Sequence, residues 1–259
     1  MSSFRVLQFN MQFGLGWDDS RPGDGMIDLE ATLAEIARHR ADVILLQEVE
    51  RASPAQEGRY SDKNYQRLRL GLPGYHSYFS LPRPDDRELP FGIGLAIFSR
   101  APLVDTFREE LPSPPIPFEF EGRSLTPTDR LLIGGRTQLN GREVTVLNTH
   151  LLAFFMLNAS SEQHRTQRDR VADRARSISG PLLLGGDFNV SQHLSLVTQM
   201  ADAGLQPVQA TEVTWRRRPY VLDHIFFNPA LRCLGWQVVP TPASDHHVIV
   251  ADFCFADGV

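Results

Sequence analysis

Residues 182–190 read LLLGGDFNV. An apolar run bounded by turn formers reads as a buried strand. This one passes directly into Asp187 and Asn189, and a buried strand end is a costly place for an unpaired carboxylate. Such a strand must end where something answers the charge, which limits how the chain can fold. The same pattern recurs along the sequence. RVLQFN ends in Asn10, DVILLQE in Glu48 and VTVLNTH in His150, while Asp223 opens DHIFF and the pair Asp245/His246 precedes HVIV. One such group reads as a satisfied core hydrogen bond. So many, all of side-chain types that do chemistry, point to strand ends that meet at one site.

Seven segments predict strands: FRVLQFNMQF, ADVILLQEV, GLAIFSR, EVTVLNTHLL, PLLLGGDFNV, VLDHIFFN and HHVIVADFCF. Three segments predict helices. The first follows Asp28 as N-cap, with Leu29, Leu33, Ile36 and Ala37 on one face. The second runs from about Ser161 to Ser177 on a stripe of Val171, Ala175 and Ile178. The third carries Leu194, Val197, Met200 and Ala201, with Gly204 after its end. In each half of the chain, a strand leads through a helix to a strand: RVLQFN to DVILLQE, and VTVLNTH to PLLLGGDFN. That repeat predicts two similar sheets whose strand ends meet. The proline-rich stretches Leu81–Pro90 and Leu111–Thr128 predict surface loops. No linker divides the chain, so residues 1–259 are expected to form one domain.

A length of 259 residues with 42% hydrophobic content allows a large core. A net charge of -5 argues against nonspecific coating of nucleic acid, which needs a basic surface. It does not exclude a nuclease, because a metal ion supplies local positive charge. Cys233 and Cys254 form no metal or redox spacing, and no signal peptide is evident, so a cytoplasmic location is expected. The apolar run LLAFFML, Leu151–Leu157, is too short to span a bilayer.

Carboxylates and amide carbonyls without cysteine suit a hard cation, Mg²⁺ or Mn²⁺. Histidines beside carboxylates suit phosphoryl transfer, where positioning and charge neutralisation do most of the work. A nucleophile elbow and a Walker loop are both missing. The GDxH and GNH patterns of another two-metal phosphatase class are missing as well.

In order, QFN, LLQE, GLAIFSRAPL, NTHL, GGDFN, LDHIF and SDHH resemble the endonuclease/exonuclease/phosphatase superfamily over Val6 to about Phe253. The resemblance implies an α/β fold: a four-layer α/β sandwich with two packed, mostly antiparallel β-sheets flanked by helices. It implies that Glu48 is the metal-binding carboxylate, with Asn10 a ligand or a group behind the ligands, and Asp245 beside the metal. Asp187 and Asn189 orient the attacking water, with Asp187 a candidate base. His150 contacts the scissile phosphate, and His246 is the catalytic histidine oriented by Asp223. In an extended segment His246 and His247 point opposite ways, so His247 is expected at the rim.

The implied activity is a Mg²⁺- or Mn²⁺-dependent phosphodiesterase, expected as a monomer. DNA or RNA is the first substrate expectation, and a small phosphate ester or lipid headgroup the alternative. A non-catalytic binding protein is the remote alternative, opposed by the filled family positions. Trp215–Tyr220, WRRRPY, offers cations and rings for a nucleic acid, or reads as a solvated loop. The helix EQHRTQRDRVADRAR mixes both charges and reads as a solvated face. Phe154, Phe155, Met156 and Leu157 follow His150 and read either as core packing or as an apolar wall beside the site.

Overall fold

The computed structural model describes residues 2–52 and 61–256. In chain order its elements are β1 (Phe4–Asn10), α1 (Leu29–Arg38), β2 (Val43–Arg51), α2 (Lys63–Gly71), β3 (His76–Ser80), β4 (Gly92–Ser99), β5 (Val104–Leu111), β6 (Phe118–Phe120), β7 (Arg123–Leu125), β8 (Arg130–Leu139), β9 (Arg142–His150), α3 (Thr166–Arg176), β10 (Leu182–Asp187), α4 (His193–Asp202), β11 (Gln206–Pro207), β12 (Asp223–Phe227), β13 (Leu231–Val239) and β14 (Val248–Phe255). Two sheets have the orders β13-β14-β1-β2-β4-β3 and β11-β12-β10-β9-β8-β5, and β6 and β7 form a separate hairpin.

Each six-stranded sheet has one parallel pair, β1 with β2 and β9 with β10, and is otherwise antiparallel. Reversing the second order gives β5-β8-β9-β10-β12-β11. Position by position its pairings then match those of β13-β14-β1-β2-β4-β3, with β9 in the place of β1 and β10 in that of β2. The strand–helix–strand repeat in the sequence is therefore a two-fold pseudo-symmetry. Both crossovers, through α1 and α3, leave the carboxyl ends of their parallel strands at one edge of the sandwich.

Alternation along the strands decides the layers. Val6, Leu45 and Ile97 of the first sheet pack on Val146, Leu183 and Ile225 of the second. Leu7, Ile44 and Phe98 face outward onto Leu33 and Ile36 of α1 and Leu68 of α2. Leu132, Leu147 and Leu184 face Val171 of α3 and Leu196 and Met200 of α4. Each such fully buried side chain stabilises the fold by about 1.5–3 kcal/mol. The Asp28 carboxylate accepts from the Ala31 amide at 3.0 Å and caps α1, a contribution of about 1 kcal/mol.

The structure corrects several local expectations. Residues 161–163 form a turn and Arg165 is the N-cap, so α3 begins only at Thr166. Its buried face includes Gln167 and Arg168. The Gln167 amide serves the backbone of Leu111 and Leu152, and Arg168 pairs bidentately with Glu162. Ala37, Leu194 and Ala201 point to solvent, and α4 buries Leu196, Gln199 and Met200 instead. The loop expected over Leu111–Thr128 contains the β6–β7 hairpin. Helix α2 and strands β3, β5, β8 and β13 were not foreseen. β5 and β13 are edge strands with mostly exposed residues, so their sequences carry no alternation.

Gly186 sits where β10 presses on β9: a Cβ there would lie 2.2 Å from the Thr149 carbonyl oxygen. Gly180 faces open space. Gly186→Ala is expected to destabilise the protein by about 1–3 kcal/mol, as overpacking does, and Gly180→Ala to stay within about 0.5 kcal/mol. Urea unfolding of the two variants checks this.

Candidate active site

The strand ends converge. Asn10 terminates β1, His150 terminates β9 and Asp187 terminates β10, while Asp223 opens β12 beside Asp187 in the ladder. Glu48 lies in a bulge of β2, where the register with β4 shifts, and takes φ +51. The bulge re-aims its side chain toward the site. Gly92 makes room for it, since a Cβ there would fall 2.0 Å from Glu48 Oε2. Asp245 and His246 arrive just ahead of β14. All eight residues expected at the site lie in this one place.

Asn10 is wholly buried and sits between two acids, its Nδ2 donating to Glu48 Oε1 at 2.9 Å and to Asp187 Oδ2 at 3.0 Å. Its own Oδ1 accepts from the Gln12 amide. Asn10 thus orients the two carboxylates. Asn189 adopts φ +51, a conformation asparagine tolerates. Its amide N–H donates to Asp187 Oδ1 at 3.0 Å and its side chain ties back to the Leu151 carbonyl.

His246 Nδ1 lies 2.8 Å from Asp223 Oδ2, and its Nε2 lies 3.8 Å from Asp187 Oδ2 and 3.9 Å from Asp245 Oδ1. His150 Nε2 stands 3.5 Å from Asp187 Oδ2 and 3.9 Å from Glu48 Oε1. His247 stays outside this cluster and its backbone N–H bonds to the Thr214 carbonyl. Asp223 pairs with His246 rather than with its neighbour His224, which lies among Phe188, Phe226 and His193.

Electrostatics separate the two imidazoles. Burial opposes charge on His246, but Asp223, through its charge and hydrogen bond, together with Asp187 and Asp245, outweighs burial and lifts its pKa to about 10. His150 is driven well below the usual histidine range by burial, then by Arg130 and His246. Near neutral pH, therefore, one imidazole is charged and the other neutral. Burial also raises Glu48 to about 7 against the pull of the Asn10 hydrogen bond and His246. Asp187 is raised by burial and by the charge of Asp223.

Several supporting residues were not foreseen. Gln8 Nε2 donates to Asp223 Oδ1 at 3.0 Å and to Gln47 Oε1 at 2.7 Å, and Gln47 Nε2 donates to Asn148 Oδ1 at 2.7 Å. This buried amide chain crosses between the sheets and holds the free oxygen of Asp223. The signal was present, because Gln8 and Asn148 stand two residues before Asn10 and His150 and so share their strand faces. Thr214 Oγ1 accepts the backbone N–H groups of Leu222 and Asp223. Two residues of WRRRPY reach the site, Trp215 Nε1 and Arg217 Nε both donating to Asp245 Oδ2, while Arg218 and Pro219 stay exposed. Arg130 lines the cleft, and its buried Nε has no hydrogen-bond partner.

The donor set fits a hard cation. Glu48, His150 and Asp187 offer ligand atoms within 4.8 Å of one another, as do Asp187, Asp223 and His246. Asp245 Oδ1 is buried without a partner. Burial raises Glu48 and Asp187 despite the nearby charge of His246, and of Arg130 at Glu48, and a divalent cation would favour their anionic forms further.

Asp223→Asn removes the carboxylate that opposes burial at His246. The His246 imidazole of metal-free wild type is expected to stay protonated past pH 8, and that of the variant to lose its proton below neutral pH; NMR of the ring nitrogens checks this. The raised pKa contributes stability that is full below about 6.5 and is lost as pH rises through about 10. The variant is therefore expected to lose stability chiefly below that upper limit.

Known proteins share both the sequence pattern and the fold. A UPF0294 protein of Yersinia pseudotuberculosis is 34% identical over 119 residues, 44% of this chain. The matched region spans under half, 44%, of that relative's length. The crystal structure of an endonuclease/exonuclease/phosphatase from Beutenbergia cavernae superposes with a TM-score of 0.72 at 24% identity, covering 98% of this chain and 72% of that one. The Bacteroides thetaiotaomicron mannosyl-6-phosphatase Bt3783 gives 0.68 at 19% identity, over 97% of this chain and all of the other. At these identities the structural likeness carries the fold alone. The family model for the endonuclease/exonuclease/phosphatase family matches residues 7–246, and the chain belongs to that family of hydrolases.

Proposed function

We propose that the chain is a divalent-metal-dependent phosphodiesterase that directs water in line at phosphorus. The observation that carries this reading is the cluster itself, with Glu48 and Asp187 yoked by Asn10 next to one charged and one neutral imidazole. Glu48 and Asp187, with Asp245 nearby, would hold Mg²⁺ or Mn²⁺. When bound, that ion supplies positive charge to a phosphate oxygen and lowers the repulsion between anion and nucleophile.

The side chains do the rest. Asp223 fixes the ring of His246 through Nδ1, so Nε2–H points to the site and donates to the phosphate as its charge grows. Asp187, in its anionic form, accepts the proton of the attacking water, while His246 remains a donor. Asn10 and the Asn189 amide fix the Asp187 carboxylate for that task. His150, neutral, donates a second hydrogen bond to the phosphate. Arg130 adds a cation beside His150 and Glu48.

A specific observation favours a small or lipid-type ester over nucleic acid. Most of the cations near the cleft are already engaged, Arg216 by Asp19 and the Thr241 carbonyl, Arg217 by Asp245, Arg87 by Asp85 and Thr126 and Arg51 by the Pro90 carbonyl, which leaves Arg130 at the floor as a single point of positive charge rather than a track. A polynucleotide needs several phosphate contacts along a track.

Hydrolysis of bis-p-nitrophenyl phosphate is expected with Mg²⁺ or Mn²⁺, to vanish with EDTA, and to fall about 10²–10⁴-fold in His246→Ala. Activity indifferent to EDTA would sink the metal-dependent reading. A second test uses no turnover. Raised carboxyl pKa values mean that Glu48 and Asp187 must shed protons to bind a cation. Mn²⁺ is therefore expected to raise the unfolding temperature more at pH 8 than at pH 5.5, and less at both in Glu48→Gln.

A further inference from the structure

The floor of acids and imidazoles occupies only one end of a cleft of about 620 Å³. The remainder is walled by apolar side chains from three segments that the chemistry does not use. One wall carries Phe91 and Phe120, packed edge to face at 5.8 Å. The other carries Met156 and Leu157, from the 3-10 turn that follows the strand of His150. Phe155 lines the cleft beside them, its ring seated on Trp215 and Tyr220 at 5.6 and 5.3 Å.

Both walls are fixed to the catalytic floor. Thr128 Oγ1 donates to the buried Glu88 carboxylate at 2.7 Å, which ties together the two loops that bear Phe91 and Phe120. The Phe91 carbonyl accepts from the Ala52 amide, and the next residue, Gly92, makes the room Glu48 needs. Phe91 and Met156 nonetheless remain 54% and 62% exposed. Large apolar side chains left open beside a phosphate site mark a binding surface.

Resting on the phosphodiesterase reading, the geometry points to a substrate class: phosphoesters with an alkyl or acyl-type chain as one substituent, gripped between Phe91/Phe120 and Met156/Leu157. Water attacks phosphorus, the P–O bond to the departing alcohol breaks, and that oxygen leaves with a proton. The chain lies in the cleft while this happens. Continuity with the floor identifies the occupant as part of the substrate. The apolar lining selects a chain over a second phosphate, since of the cleft arginines Arg87 and Arg217 are paired with acids and Arg130 sits at the floor beside His150 and Glu48.

The test is a series of p-nitrophenyl alkyl phosphates with methyl, butyl and octyl groups, read as p-nitrophenolate release with Mg²⁺. In wild type kcat/KM is expected to rise with each methylene, up to about fourfold per step. The octyl-to-methyl ratio is expected to fall at least about tenfold in the double variant Phe91→Ala/Phe120→Ala, a loss equivalent to fewer than two fully buried methylenes. Met156→Gln is expected to lower it too and, at a 62% exposed position, to leave the fold intact. Calorimetric binding of methyl-, butyl- and octylphosphonate, with Mg²⁺ but without turnover, is expected to tighten in the same order.

Esters hydrolysed with no dependence on chain length would overturn the substrate class and leave the phosphodiesterase reading standing. A single-stranded oligonucleotide cleaved with higher kcat/KM than the octyl ester would overturn it in favour of nucleic acid. Phosphonates that bind in order of chain length, with no ester hydrolysed, would overturn the phosphodiesterase reading and leave the apolar cleft. Phosphonate affinities independent of chain length would overturn the cleft.

Discussion

Four carboxylates brought to one edge of a dry sandwich impose the constraint on which the structure turns. Asp187, Asp223 and Asp245 are 1%, 0% and 3% exposed, and Glu48 joins them at the bulge. Burying charge is expensive unless it is paired and hydrogen-bonded. The fold answers each acid separately. His246 and Gln8 hold Asp223, and Trp215 with Arg217 holds Asp245. Asn10 divides its two N–H donors between Glu48 and Asp187. At Glu48 and Asp187 burial still outweighs the nearby positive charge. Under the proposed reading a divalent cation restores the balance there and, through it, favours a phosphate.

The pseudo-symmetric sheets explain how one chain assembles this cluster. Each parallel pair delivers polar groups at its carboxyl ends, and face-to-face packing of the two sheets brings those ends together. Gly185 permits the approach, because a Cβ there would press to 2.4 Å on Leu45 of the opposite sheet. The glycines of LLLGGDFNV thus give β10 both its place beside β9 and its distance from β2. A strand that could not come so close would leave Asp187 without Asn10.

The strands that end in polar groups could be read directly, because their inner faces are apolar and their ends carry residues that no core needs. Asp28 and Gly204 likewise marked helix ends correctly. The edge strands β5 and β13 escaped notice because few of their residues are buried on either face, so they lack the apolar alternation that a half-buried strand carries. Helix α2 escaped because Leu68 alone is buried on it. At the site, the polar residues that gather at the strand ends were legible, and their supports were not. Gln8, Gln47 and Asn148 look like ordinary polar residues until two sheets place them in one chain of hydrogen bonds. The apolar cleft was half visible. The residues after His150 announced one wall, whereas Phe91 and Phe120 are brought opposite it only by tertiary structure.

Crystals soaked in Mn²⁺ and measured at the manganese absorption edge give the decisive test, since they locate the ion without reference to any substrate. An anomalous peak bounded by the Glu48 and Asp187 carboxylates, and absent in Glu48→Gln, is the expected result. Ordered density for these side chains with no peak between them, at Mn²⁺ concentrations that saturate any thermal shift, would contradict the reading of this cluster as a metal–phosphate centre.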